Sequence, residues 1–177
     1  WVNNKHGDDD IFIQKVDSSG YIQWTPTGVR ISNLIGAAKN PAIVDYGFED
    51  ATLVAWIEPD SVRLTKVNPD STLPWGVNGI VLDTVTTTAT LSMSGGAGGS
   101  DSTVLISYTK EMDSILVAQL VDTSGNKMWG GKGIDVDSSF AGIKRHKIIS
   151  LGGDSAVIVW VSDSIRVNKI SNLGVLL

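Results

Sequence analysis

Apolar and polar side chains alternate along short stretches of this chain, and the stretches recur in the same order about every fifty residues. I-F-I-Q-K-V-D-S-S-G-Y-I-Q-W (11–24) returns as V-R-L-T-K-V-N-P-D-S-T-L-P-W (62–75), as I-L-V-A-Q-L-V-D-T-S-G-N-K-M-W (115–129) and as I-R-V-N-K-I-S-N-L-G-V-L-L (165–177). A period of two marks a strand, because successive side chains leave opposite sides of an extended backbone. The second unit predicts strands at 41–46, 51–57, 62–67 and 79–82, and the third at 89–94, 103–108, 115–121 and 133–136. The fourth unit predicts strands at 146–151, 156–161 and 165–170, and the first opens on Trp1, read as the end of a second strand.

Turn residues sit at each joint. Gly47-Phe48-Glu49-Asp50, the glycine-rich run 95–101 and Gly152-Gly153-Asp154 separate first from second strands; Asp9, Asp60, Asp113 and Asp163 precede the third strands. D-x-S-G at Asp17 and at Asp122 follows the third strand, with degenerate copies at Asn68 and Ser171. Such residues supply the backbone conformations and local bonds that tight hairpins need.

Two aromatic columns hold the register. Trp1, Trp56, Tyr108 and Trp160 end the second strands, and Trp24, Trp75 and Trp129 each stand seven residues after the turn residue. A large aromatic at a fixed place in every unit is what packing between stacked sheets requires. The alternative is a stacking platform for sugars or bases.

Units of this length that cannot bury their own apolar faces stack on one another. Four antiparallel strands per unit, with longer connections between units, describe an all-β chain built as a β-propeller of about three and a half blades. The expected divisions are a partial blade at 1–39, blades at 40–88 and 89–145, and a partial blade at 146–177. An open solenoid or a tandem sandwich would use the same strands differently. A half-propeller leaves strand edges bare, so either a longer chain or a second copy of this one is expected to complete it.

Composition narrows the functional classes. The 177 residues carry a formal net charge of −5 and no long basic run, which argues against nucleic acid or an anionic membrane surface as partner. Sixteen Asp against three Glu favour turns over helices, and the absence of cysteine removes thiolate catalysis and cysteine-ligated zinc. No apolar stretch is long enough to predict a membrane-spanning helix.

The run I-L-V-A-Q-L-V-D-T-S-G-N-K-M-W-G-G-K-G-I-D-V (115–136) resembles the D-I-Y-A-Q-R-L-D-x-x-G-x-x-L-W-G-x-x-G-V-x-V repeat of secreted and cell-surface bacterial propeller proteins. L-V-A-W, ending at Trp56, resembles their A-I-I-A-W strand. The resemblance implies export and a binding, adhesion or scaffold role rather than a reaction. The Asp turn also resembles the S-x-D-x-G-x-x-W box of sialidase-type propellers, but its Asp-to-Gly spacing differs, so that activity is not carried over.

Candidate chemistry is sparse. His6 and His146 are the two histidines; both are expected in connecting segments at the surface, and no nucleophile elbow accompanies either. The glycine-rich run has no following lysine and helix, so it reads as a hairpin tip rather than a phosphate loop. Asp8, Asp9 and Asp10 are a weak candidate for Ca²⁺, although their spacing does not match a calcium loop. No catalytic residue and no cofactor is assigned. The expected contact residues are Phe140, Lys144, Arg145 and His146, on the longest connection between units, for a protein or glycan partner. The rival is a glycan-cleaving enzyme, a hydrolase or lyase, using paired carboxylates on the loop-bearing face.

Overall fold

The computed structural model describes residues 1–45, 50–84, 90–95, 103–110, 114–139, 142–151 and 155–177. The described residues form fourteen strands and no helix. β1 (Val2–Asn3), β2 (Asp10–Ile13) and β3 (Val29–Arg30) form the first sheet, and β4 (Lys39–Asp45), β5 (Thr52–Ile57), β6 (Ser61–Val67) and β7 (Ile80–Thr84) the second. β8 (Leu91–Gly95), β9 (Thr103–Lys110), β10 (Ile115–Asp122) and β11 (Ile134–Ser138) form the third, and β12 (Arg145–Ser150), β13 (Ser155–Val161) and β14 (Ile165–Ser171) the fourth. Every sheet is an antiparallel meander in chain order.

The expected strands are present with ends shifted by a few residues. In the first unit the third strand is shorter than its counterparts β6, β10 and β14, closing at Ile13, with the Val16–Ile22 bridge continuing the pairing beyond it. The register shift between β6 and β7 at Val62 and Arg63 recurs between β10 and β11 at Leu116 and Val117. A bulge increases local twist and re-aims the strand, so its repetition gives both fourth strands the same exit.

Alternation along the strands sorts the core into three layers between consecutive sheets. Ile11, Ile13 and Ile31 of the first sheet meet Val54, Trp56 and Val67 of the second. From the other side of the second sheet, Leu53, Ala55, Ile57, Val62 and Leu64 meet Val104, Ile106 and Tyr108 of the third. Leu105, Leu116, Ala118 and Leu120 then meet Ile148, Ile158, Trp160 and Ile170 of the fourth. Burying each such side chain fully contributes roughly 1.5–3 kcal/mol, so these layers hold the sheets together. The first strands run side by side, β4 against β8 and β8 against β12.

Candidate functional site

The repeated polar residues act between sheets. Asp83 and Asp137 occupy the same place in the fourth strands of the second and third units. Asp83 accepts a bond from the Tyr108 hydroxyl at 3.2 Å, and Asp137 one from Trp160 Nε1 at 2.6 Å. A cation of the later unit stands beside each: Lys110 Nζ lies 3.6 Å from Asp83, and Arg166 Nη1 3.6 Å from Asp137. Burial, and then the Asp83 charge, push the Tyr108 phenol far up, so it stays a donor.

The second tryptophan column closes the opposite end of each interface. Trp24 Nε1 donates to the Pro69 carbonyl at 3.0 Å, and Trp129 Nε1 to the Asn172 carbonyl at 2.7 Å, each in the next unit's turn. Trp75 lies over Gly125 and Trp129 over Gly174; a methyl on either glycine would sit 3.3 or 3.0 Å from the ring. Packing is therefore a demonstrated use of both columns. Gln14 and Gln119 hold the tryptophan-bearing segments: their Oε1 atoms accept from Trp24 N and Trp129 N, and their Nε2 atoms donate to the Thr25 and Gly130 carbonyls. Sequence reasoning missed these glutamines, although each stands ten residues before its tryptophan. Thr65 fills the position in the second unit, and its buried hydroxyl has no partner among the described residues.

Several acids are drawn into structural roles, among them Asp10 and Glu58 of the loop-bearing face, while Glu111 and Asp113 lie outside the described residues. Asp10 is buried in β2 and paired with Arg30, so Asp8, Asp9 and Asp10 do not assemble into a carboxylate group; no cluster of three metal-ligating side chains occurs among the described residues. Asp17 Oδ1 accepts from the amides of Ser19 and Tyr21, and Asp122 Oδ1 from those of Ser124 and Asn126. Glu58 is buried, with Oε1 accepting from Trp56 Nε1 at 2.7 Å and Oε2 without a partner among the described residues. Burial raises its carboxyl above the ordinary range, against the opposing effect of the Trp56 bond.

Of the expected contact residues, Lys144, Arg145 and His146 come together, while Phe140 lies outside the described residues. They line a groove of about 370 Å³ where β12 and β13 meet Thr90 and Leu91 of the third unit, with Lys147, Val159, Trp160 and Val161 among its other walls. His146 lies in the strand predicted at 146–151 rather than in a connecting segment. It belongs to β12 and is half-buried, with Nδ1 2.8 Å from Ser107 Oγ and Nε2 2.9 Å from Thr90 Oγ1. Both ring nitrogens are thus engaged in tying β12 to the third sheet, while the residue also lines the groove. Its place at the start of an alternating run, where Ile148 takes the same inward side, was the available signal. His6 is exposed in a loop, as expected.

A second groove, of about 430 Å³, lies between the first sheet at Trp1, Phe12, Gln14 and Val16 and the second at Pro41, Ile43 and Val54. No helix among the described residues is long and apolar enough to cross a membrane. No protein-family model matches the chain, and no curated protein matches it.

Proposed function

We propose that this chain is the blade-bearing part of a β-propeller in an extracellular bacterial protein, serving as a non-catalytic binding, adhesion or structural module. The four sheets would be consecutive blades, with β4, β8 and β12 lining the inner side. Side-by-side packing of these strands, and the recurrence of one interface between successive sheets, support that reading over an open solenoid or sandwich. Export and surface location rest on the resemblance of the 115–136 repeat.

The observation that carries the module reading is the fate of the acids. Asp10, Asp83, Asp137 and Glu58 are bonded to Arg30, Tyr108, Trp160 and Trp56, which ties them to the packing of the sheets. The groove at Lys144, Arg145 and Lys147 instead joins cations to an apolar wall at Val159 and Val161, a pairing suited to an anionic glycan whose carboxylates meet the cations while its apolar side lies on the valines.

Electrophoresis through gels containing polygalacturonate or a neutral glucan tests this. The wild type is expected to be retarded by the acidic polymer alone, and the Lys144→Glu/Arg145→Glu variant to run freely, with no reducing ends released in either case. Release of reducing ends that disappears in Glu58→Gln would establish the glycan-cleaving alternative instead.

A further inference from the structure

We infer, independently of the glycan reading above, that Asn78–Gly79 is a self-modification site guarded by Asn33, at which the Asn78 side chain loses ammonia and the main chain re-forms through isoaspartate. An asparagine is converted without an enzyme when the backbone nitrogen of the next residue reaches its amide carbon, and glycine, with no side chain in the way, allows the closest approach. Asn78–Gly79 is the one Asn–Gly pair among the 177 residues. The repeat dictates its glycine: a methyl on Gly79 would collide with the Leu64 carbonyl oxygen, and one on Gly133, at the same place in the third unit, with that of Ala118. It does not dictate the asparagine. Thr27 precedes Gly28 in the first unit and Lys132 precedes Gly133 in the third, and neither carries a side-chain amide.

In the folded chain the first unit holds the reacting groups. Asn78 Nδ2 donates to Asn33 Oδ1 at 2.6 Å, and Asn78 Oδ1 accepts from the Asn33 amide at 2.7 Å. The backbone amide of Asn78 donates to the Ile31 carbonyl at 2.9 Å, and that of Gly79 to the Gly76 carbonyl at 3.2 Å. Residues 31–33 follow directly on β3, and Ile31 belongs to the apolar layer between the first two sheets. Three of the four bonds therefore last only while the first sheet is seated on the second. Local opening of that seam frees the carboxamide to turn toward Gly79 N.

Water is the only co-reactant the step needs. Gly79 N gives up its proton and bonds to Asn78 Cγ while the Cγ–Nδ2 bond breaks, and Nδ2 leaves as ammonia. The ring so formed carries two carbonyls. Water adding at the side-chain carbonyl gives aspartate; water adding at the main-chain carbonyl breaks its bond to Gly79 N and leaves the chain running through Cβ and Cγ as isoaspartate. Arg63 Nη1 donates to the main-chain carbonyl of Asn78 at 3.0 Å, so it polarises that carbon and stabilises the charge that water's attack puts on its oxygen. Isoaspartate is accordingly the expected main product. It lengthens the main chain by one carbon beside the Asn78–Ile31 bond, so the mark loosens the seam whose opening produced it.

Incubation of the wild type, Asn33→Ala and Asn33→Asp at neutral pH, followed by peptide mass mapping and isoaspartate-specific methylation at residue 78, tests this. Asn33 is exposed, so both substitutions spare the core, and circular dichroism establishes that each variant keeps its strands. Asn33→Ala removes the acceptor of Asn78 Nδ2 and should convert at least about fivefold faster than the wild type, the effect of one ordinary hydrogen bond on a local opening. Asn33→Asp keeps an acceptor oxygen and should stay near the wild-type rate. The wild type itself should convert faster in urea than folded. An Asn33→Ala protein no faster than the wild type, an Asn33→Asp protein as fast as the alanine variant, or a folded wild type as fast as the one in urea overturns the inference. So does isoaspartate that forms at another asparagine before it forms at residue 78.

Discussion

At the scale of the residue, the same polar group does opposite things depending on what surrounds it. Asp163 is exposed, and bonds from Ser162 and then Arg166 hold its carboxyl down at about 2. Glu58 is sealed between the first two sheets, and burial drives its carboxyl up. A carboxyl whose folded pKa is lowered stabilises the fold above its unfolded pKa, and that contribution fades as pH falls through the folded value, here between 3.8 and about 2. A raised carboxyl has the reverse sign: the folded state holds the proton more tightly, so stability declines as pH rises from 4.5 through the folded value. Glu58→Gln keeps an oxygen for Trp56 Nε1 and removes the titration. Urea midpoints measured from about pH 4 to about pH 8 should therefore fall less steeply for the variant than for the wild type, and the variant should be at least as stable at neutral pH. Parallel curves for the two proteins would remove Glu58 from the account.

At the scale of the element, the Asp and Gly turns are joints between units as well as hairpins within them. Gly20, Gly125 and Gly174 all have positive φ, at 85°, 86° and 75°, so alanine is strained at each. They differ in what lies above. Gly20→Ala meets open space and should cost about 1–2 kcal/mol from backbone strain alone. Gly174→Ala also displaces the Trp129 ring and should cost at least about 1 kcal/mol more. Equal losses by urea denaturation would show that the ring does not hold the turn.

These joints were legible because tryptophan and the turn residue recur at fixed offsets. Strand positions were equally legible, since a period of two survives the change from V-R-L-T-K-V to I-R-V-N-K-I. The role of Asp83 and Asp137 was not, because their partners, Tyr108 and Trp160, lie in the following unit and only the stacking of sheets brings them together. The bonds of His146 were hidden for the same reason: the hydroxyls that enclose it come from β9 and from the segment before β8, distant in sequence. Of the expected site, Lys144 and Arg145 were named from loop length alone, whereas the apolar groove wall beside them belongs to β13 and required the fold.

At the scale of the whole molecule, four sheets are joined by a contact with three parts: an apolar layer, an aromatic of one unit on the fourth-strand aspartate of the unit before, and a tryptophan over the next turn. The interface between the first two sheets varies the second part. Ser32 stands where Asp83 and Asp137 stand later and accepts from the Ile11 amide, while Trp56 turns to its own unit's Glu58. Asn33 and Asn78 supply the bridge instead, at 2.7 and 2.6 Å. A chain built this way gains stability from nearest-neighbour contacts, so cutting one should weaken the pair of sheets it joins.

A double-mutant cycle on Asp137→Ala and Trp160→Phe tests that claim most directly. The cycle cancels the separate effects on Arg166 and on ring packing and leaves the bond between the third and fourth sheets. Urea denaturation should give a coupling of about 1–2 kcal/mol, as befits a part-buried bond to a charged acceptor. A coupling indistinguishable from zero would mean that Trp160 and Asp137 do not meet, and that the fourth sheet is not held against the third as described.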